Sequence, residues 1–214
     1  MSLFTILLGG NLVRTSRLDA QVAATRVIAA DGGIRHAAML GIAPELWVGD
    51  FDSVPKGLEN AYPDLPRQTF PADKDKTDGE LAIDIALERG ATGLVLAGAF
   101  GGPRADHAFL HLAVAMRLAE TGMPVVLTDG AQEGRPLLPG KSRFDYENGV
   151  LFSVIGFSAL SGLTLSGVKW PLDAVEVPFG SSLTISNAVQ GKLHAELLSG
   201  RAMLIAHPFP GSEF

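Results

Sequence analysis

Through about its first 130 residues the chain alternates short apolar runs with helix-forming segments, and that alternation leaves few folds open. Residues 4–8, 26–30, 46–48, 68–70, 94–97 and 125–128 read as strands, and residues 16–24, 33–40, 78–89 and 104–121 read as helices. In 78–89, Glu80, Asp84 and Glu88 recur at helical spacing as a solvated face opposite Leu81 and Ile85. In 104–121, Phe109, Leu112, Ala113 and Met116 form the expected buried face, and Gly122 is a stop signal. Strands that alternate with helices assemble into a mostly parallel sheet covered by helices, a Rossmann-like α/β arrangement. Such sheets bind ligands beyond the carboxyl ends of their strands. Asp31-Gly32-Gly33, Asp50–Ser53 and Gly98–Gly102 all fall at such ends.

From about residue 132 the pattern changes. Glu133–Gly140 is rich in turn formers and reads as a linker. Beyond it, residues 150–155, 163–166, 174–177, 182–186, 192–197 and 202–206 read as closely spaced strands of a small all-β sandwich or barrel. The expected division is an α/β domain over 1–133 and a β-sandwich domain over 134–214. With 47% hydrophobic residues among 214, both can bury a core. A net charge of -6 argues against nucleic acid as a partner. The absence of cysteine removes disulfides and thiolate chemistry. No stretch reads as a signal peptide or membrane span, so a cytoplasmic protein is expected.

Two acidic stretches carry the chemistry. Gly49-Asp50-Phe51-Asp52-Ser53 follows the strand at 46–48, and carboxylates two apart on a strand point to the same side. They repel each other unless a cation lies between them. In Asp73–Glu80, Thr77 reads as a helix N-cap and Glu80 completes a capping box, which puts Asp78 in the first helical turn. Asp50, Asp52 and Asp78 together offer the oxygen donors that Mg²⁺ prefers. Lys74 and Lys76 stand ready for phosphates, so a Mg²⁺–nucleotide site is expected.

Other motifs carry less. Gly134–Ser142 imitates a P-loop, but it has one spacer too many and leads into a strand instead of a helix. His107 and His111 are four apart on a helix without the glutamate of a zinc protease, an incomplete ligand set. Asp50-Phe51-Asp52-Ser53-Val54 fits the local pattern of haloacid-dehalogenase-like phosphatases, with Asp50 as nucleophile. That alternative wants the motif after the first strand, and here two strands precede it. Gly101–His107 is a glycine turn entering a helix, suited to anions, with Arg104 able to add bidentate phosphate contacts. Trp170 and Thr184–Asn187 draw notice in the second half, where a tryptophan on a β surface usually belongs to a core.

Taken in order, Ala30-Asp31-Gly32-Gly33, Gly49–Ser53, Asp73–Asp78, Arg104-x-Asp106-His107, Gly167-x-Lys169-Trp170 and Ser186-Asn187 resemble the thiamine pyrophosphokinase family. The resemblance implies an α/β catalytic domain, a β-sandwich domain, and a homodimer with thiamine bound between subunits. It implies transfer of the β,γ-pyrophosphoryl group of ATP to the thiamine hydroxyl, with release of AMP. Asp31, Asp50, Asp52 and Asp78 would be the catalytic acids, the last three holding Mg²⁺. Ser53, Lys76, Thr77, Arg104, Asp106 and His107 would meet ATP, while Asp75, Trp170, Ser186 and Asn187 would meet thiamine. Pro103 interrupts the usual Gly-Gly-Arg, His111 stands where Asn is common, and Ala188 stands where Glu is usual. A non-catalytic nucleotide or thiamine sensor is a further alternative, disfavoured because no acidic position is lost.

Overall fold

The computed structural model of the chain describes residues 2–51, 57–71 and 75–208. It divides into two compact units, Met1–Val114 with Met123–Gly130, and Ala115–Gly122 with Ala131–Phe214.

In the first unit β1 (Leu3–Leu7), β2 (Arg26–Ala30), β3 (Leu46–Gly49), β4 (Arg67–Thr69), β5 (Gly93–Ala97) and β6 (Val125–Thr128) form a sheet. Their order is β6-β5-β1-β2-β3-β4, and every pairing is parallel. Parallel neighbours need crossovers: α1 (Ser16–Val22) links β1 to β2, α2 (Arg35–Leu40) links β2 to β3 and α4 (Ala105–Glu120) links β5 to β6, while α3 (Asp78–Glu88) leads from β4 to β5. Ala97, Leu7, Ala29 and Trp47 lie in one register row across β5, β1, β2 and β3. With Leu18 and Val22 of α1 and Ala37 and Leu40 of α2, that row forms one core cluster. Helix α3 packs against β1, β2 and β3 and buries Ala82, Ile83, Ile85 and Ala86. The chain moves outward from β1 through β2 and β3 to β4, then returns to the other side of β1 with β5. That reversal opens a crevice above the carboxyl ends of β1, β2 and β5.

In the second unit β7 (Glu133–Leu137), β8 (Gly140–Phe144), β9 (Leu151–Gly156), β10 (Leu160–Val168), β11 (Leu172–Val177), β12 (Asn187–Leu197) and β13 (Ala202–His207) are paired antiparallel. Strand β12 belongs to two layers. Asn187 and Ala188 pair with β9, which continues through β13 to β7, while Leu193–Leu197 pairs with β8. Its opposite edge pairs with β10, which leads to β11. Phe152, Val154, Leu163, Leu165, Leu193 and Leu204 are buried in one cluster drawn from both layers.

Three expectations are corrected. The stretch 133–140 is not a linker: it holds β7 and the start of β8, with only Leu138 and Pro139 between them. β7 pairs with β13 and β8 with β12, so the turn formers there make a corner between layers. Residues 182–186 are turns rather than a strand. The Thr184 hydroxyl donates to the Val154 carbonyl at 2.6 Å and the Ser186 N–H donates to the Ser153 hydroxyl at 3.0 Å, isolated contacts in place of a ladder. On α4 the buried residues are Val114, Ala115, Met116 and Leu118, and Phe109 is 64% exposed. Periodicity alone assigns Phe109 to a core, but the helix's first half borders a cavity instead.

Candidate functional site

That cavity, about 880 Å³, lies at the carboxyl ends of the parallel strands. Its walls come from the turns after β1, β2, β3 and β5 and from the first turns of α3 and α4. The turn after β1 is threaded tightly between its neighbours. The Gly10 N–H donates to the Gly98 carbonyl at 3.0 Å, and a Cβ on Gly10 would stand 2.5 Å from the Phe100 carbonyl oxygen, so only glycine fits. Arg35 donates to the Gly9 and Gly10 carbonyls, and the His36 Nε2–H donates to the Gly10 carbonyl at 3.0 Å.

The α3 mouth is built as its sequence demands. The Thr77 hydroxyl accepts from the Glu80 N–H at 3.3 Å, while the Glu80 carboxylate accepts from the Thr77 N–H at 3.3 Å. This capping box stiffens the segment that carries Asp75, Lys76 and Asp78 into the cavity wall. Lys76 forms a 2.5 Å ion pair with Asp84, one turn into the helix.

Two positions at or beside the acidic residues have unusual backbones. Asp31 has φ 42° and Phe51 has φ 64°, left-handed values for non-glycine residues at the ends of β2 and β3. Such conformations cost about 1–3 kcal/mol each and persist only where the surroundings hold them. A Cβ on Gly49 would lie 3.2 Å from Asp31 Cα, so the two turns are in close contact.

On α4 the guanidinium of Arg104 chelates Asp106, with Nη2 to Oδ2 at 2.7 Å. That hydrogen bond holds the Asp106 carboxyl well below the usual carboxylate range. His111 donates from Nδ1 to the Ala99 carbonyl at 3.0 Å, since a carbonyl can only accept. Burial lowers its pKa, and that of His36 too, so both rings are neutral at pH 7.

Asp31, Asp50, Asp75, Lys76, Thr77, Asp78, Arg104 and His107 therefore surround one space, and Asp106 reaches it through Arg104. Asp52, Ser53, Asp73 and Lys74 lie outside the described residues. Arg35, Gly9, Gly10 and His111 also line the cavity, although sequence reasoning assigned them no contact with ligand. Arg35 sits inside a helix-forming run, where nothing in the spacing sets it apart from a solvated arginine.

Trp170, Ser186 and Asn187 line a different, smaller groove of about 430 Å³ within the second unit, with Leu172, Leu183, Thr184 and Ile185. Trp170 is 53% exposed, so it is not a core tryptophan. Asn187 is buried, and its amide is spent on the Trp170 backbone. Ser186 has φ 61°, a further strained non-glycine residue, at the edge of this groove.

Comparison with known proteins settles the family. A profile described as "Thiamin pyrophosphokinase, catalytic domain" matches residues 20–127, and one described as "Thiamin pyrophosphokinase, vitamin B1 binding domain" matches residues 143–200. The chain belongs to the thiamin pyrophosphokinase family. It is an enzyme that transfers a pyrophosphoryl group to thiamine. The thiamine pyrophosphokinase of Bacillus subtilis is 34% identical over 166 residues, 75% of this chain and 76% of the relative. A crystal structure of the Bacillus subtilis enzyme superposes with a TM-score of 0.83 at 29% identity, covering 96% of this chain and 99% of the other. The Geobacillus thermodenitrificans structure gives a TM-score of 0.81 at 30% identity over 99% of both chains. At 14% identity the Candida albicans enzyme shares the fold, with a TM-score of 0.80 over 96% of this chain and 89% of the other.

Proposed function

We propose that the cavity of the first unit binds Mg²⁺–ATP and that the Trp170 groove binds thiamine, giving thiamine diphosphate and AMP. The observation that carries this reading is the composition of the cavity wall. Five carboxylates (Asp31, Asp50, Asp75, Asp78 and Glu80) face three cations (Arg35, Lys76 and Arg104) in one crevice. A polyphosphate entering alone would meet net repulsion. A hard, oxygen-seeking divalent cation removes the conflict, and this donor set suits Mg²⁺.

Asp50 and Asp78 are the described residues that would hold the ion, with Asp52 as third donor; among the described residues no group of three carboxylates or histidines forms a ready cage. When bound, the ion would neutralise charge on the phosphate oxygens. Lys76 and Arg104 then place the phosphates, and the α3 N-terminus offers N–H groups to them. Thr77 and Ser53 add hydroxyls, and Asp106 and His107 complete the nucleotide contacts, Asp106 by orienting Arg104. Asp31 completes the acidic group at the reacting end. Phosphoryl chemistry of this kind depends mainly on positioning and electrostatics.

Thiamine is a cation with an aromatic ring, and the exposed Trp170 face suits it; a cation–π contact is worth about 0.5–2 kcal/mol. Ser186 and Asn187 shape that groove, and Asp75 supplies a carboxylate toward the thiazolium. We read the first unit as a Rossmann-like domain over 1–133 and the second as a β-sandwich over 134–214. A homodimer supplying each site from two subunits, working in the cytoplasm, completes the proposal. Among the described residues no helix is long and apolar enough to cross a membrane.

The test is incubation with Mg²⁺–ATP and thiamine, followed by nucleotide analysis. AMP forming one-for-one with thiamine diphosphate is the expected result. ADP or free phosphate appearing without thiamine would overturn it.

A further inference from the structure

Trp47 lies at the centre of β3, wholly buried, three residues before Asp50. Its indole N–H donates to the Asp31 carbonyl at 2.9 Å. Its ring meets Phe51 edge-on, with centroids 5.0 Å apart and planes at 88°. Asp31 lines the cavity and Phe51 directly follows its neighbour Asp50, and both hold left-handed backbones, which a bulky residue such as Phe51 rarely adopts. One side chain thus touches both strained turns. The indole is itself held from two further sides: the Arg67 guanidinium sits 5.1 Å over the ring, and Tyr62 packs on its edge at 6.3 Å.

We propose that Trp47 is a positioning residue for the metal–nucleotide site, clamping the Asp31 turn to the Asp50–Phe51 turn so that their carboxylates are presented together. This rests on the Mg²⁺–ATP reading of the cavity. The contact is polar at one end and aromatic at the other, so each half can be removed separately. A residue that only filled the core would need neither the indole N–H nor the edge-on ring. The clamp holds the acids before ligand arrives, which lowers the ordering that binding would otherwise require.

Trp47→Phe removes the N–H donor and keeps an aromatic ring; Phe51→Leu keeps apolar volume and removes the ring edge. Binding of the α,β-methylene analogue of ATP is measured calorimetrically at stepped Mg²⁺ concentrations, with kcat and the KM for thiamine measured in parallel. For each folded variant the analogue's Kd at limiting Mg²⁺ is expected to rise about three- to tenfold, the range that one lost hydrogen bond or one lost edge-on aromatic contact commands. Saturating Mg²⁺ should recover most of that loss, and the KM for thiamine should stay within twofold. A lowered melting temperature with unchanged Mg²⁺ dependence would overturn the proposal and leave Trp47 as core filling. Should Trp47→Phe fail to fold, Phe51→Leu decides alone by the same criterion. If wild-type protein makes no AMP yet binds the analogue with Mg²⁺, the catalytic reading fails while the clamp is still tested.

Discussion

Asn187 closes a two-point clamp on the backbone of Trp170: its Oδ1 accepts from the Trp170 N–H at 3.2 Å and its Nδ2 donates to the Trp170 carbonyl at 2.8 Å. The same Oδ1 also accepts from the Ala188 N–H at 2.8 Å. An amide so occupied holds the tryptophan in place and has little left for a substrate. Asn187→Ala is expected to remove these bonds from part-buried backbone groups at a cost of about 0.5–1.5 kcal/mol, visible as a lower melting temperature. The KM for thiamine should rise about tenfold, the factor that 1.4 kcal/mol represents, while the KM for ATP stays unchanged. Equal rises in both would show a general loss of structure instead.

Lys76 is held by Asp84 at 2.5 Å, and both side chains are more than a third exposed (53% and 36%). Phosphate must compete with that carboxylate for the ammonium. Exposed pairs are worth about 0.2–1 kcal/mol, so Asp84→Asn should lower the KM for ATP by no more than about fivefold. Lys76→Ala should raise it instead. The two changes made together should match Lys76→Ala alone, because the carboxylate acts only through the lysine. An additive double variant would sever that link.

Much of this architecture is legible before any coordinates. The six parallel strands fall within two residues of the apolar runs, and the Thr77–Glu80 capping box is present as the T-x-x-E spacing requires. What escapes is tertiary. Phe109 has the right periodicity for a core yet is 64% exposed, and nothing in its local spacing sets it apart from the buried Met116. Pro136 and Pro139 suggest a linker, but a strand tolerates proline where the ladder does not need its N–H, and β7 forms around Pro136. Residues 182–186 have strand-like composition yet find only isolated partners on β9. Arg35 and His111 join the site through the reversal at β1, a relation between segments that no local spacing encodes.

His36 and His111 predict a pH dependence of stability. Burial is the largest cause of the lowered pKa in each case; neighbouring Arg35 adds to it for His36, and His107 for His111. A histidine whose folded pKa lies below its unfolded value makes the unfolded chain bind more protons between the two. Its stabilising share is therefore fully present above about pH 6.5, the unfolded value, and is lost as pH falls toward the folded pKa. The melting temperature should be flat above about pH 7 and decline below it. His111→Asn should reduce the slope of that decline. An unchanged slope would mean that His111 does not contribute.

The dimer proposal gives the last prediction. Asp50→Asn should lower kcat about 10²–10³-fold, as losing one electrostatic contact to a developing charge typically does, and Trp170→Ala should be nearly inactive at limiting thiamine. If each site takes its acids from one subunit and Trp170 from the other, a mixed dimer holds one doubly damaged site and one intact site. Random exchange at equal amounts makes about half the dimers mixed, each with one of two sites whole, so about a quarter of wild-type activity should return under two-fold symmetry. If both halves of a site came from the same chain, every site would keep one lesion and mixing would restore nothing. Activity measured after exchange, with dimer formation followed by differently tagged subunits, separates the two arrangements.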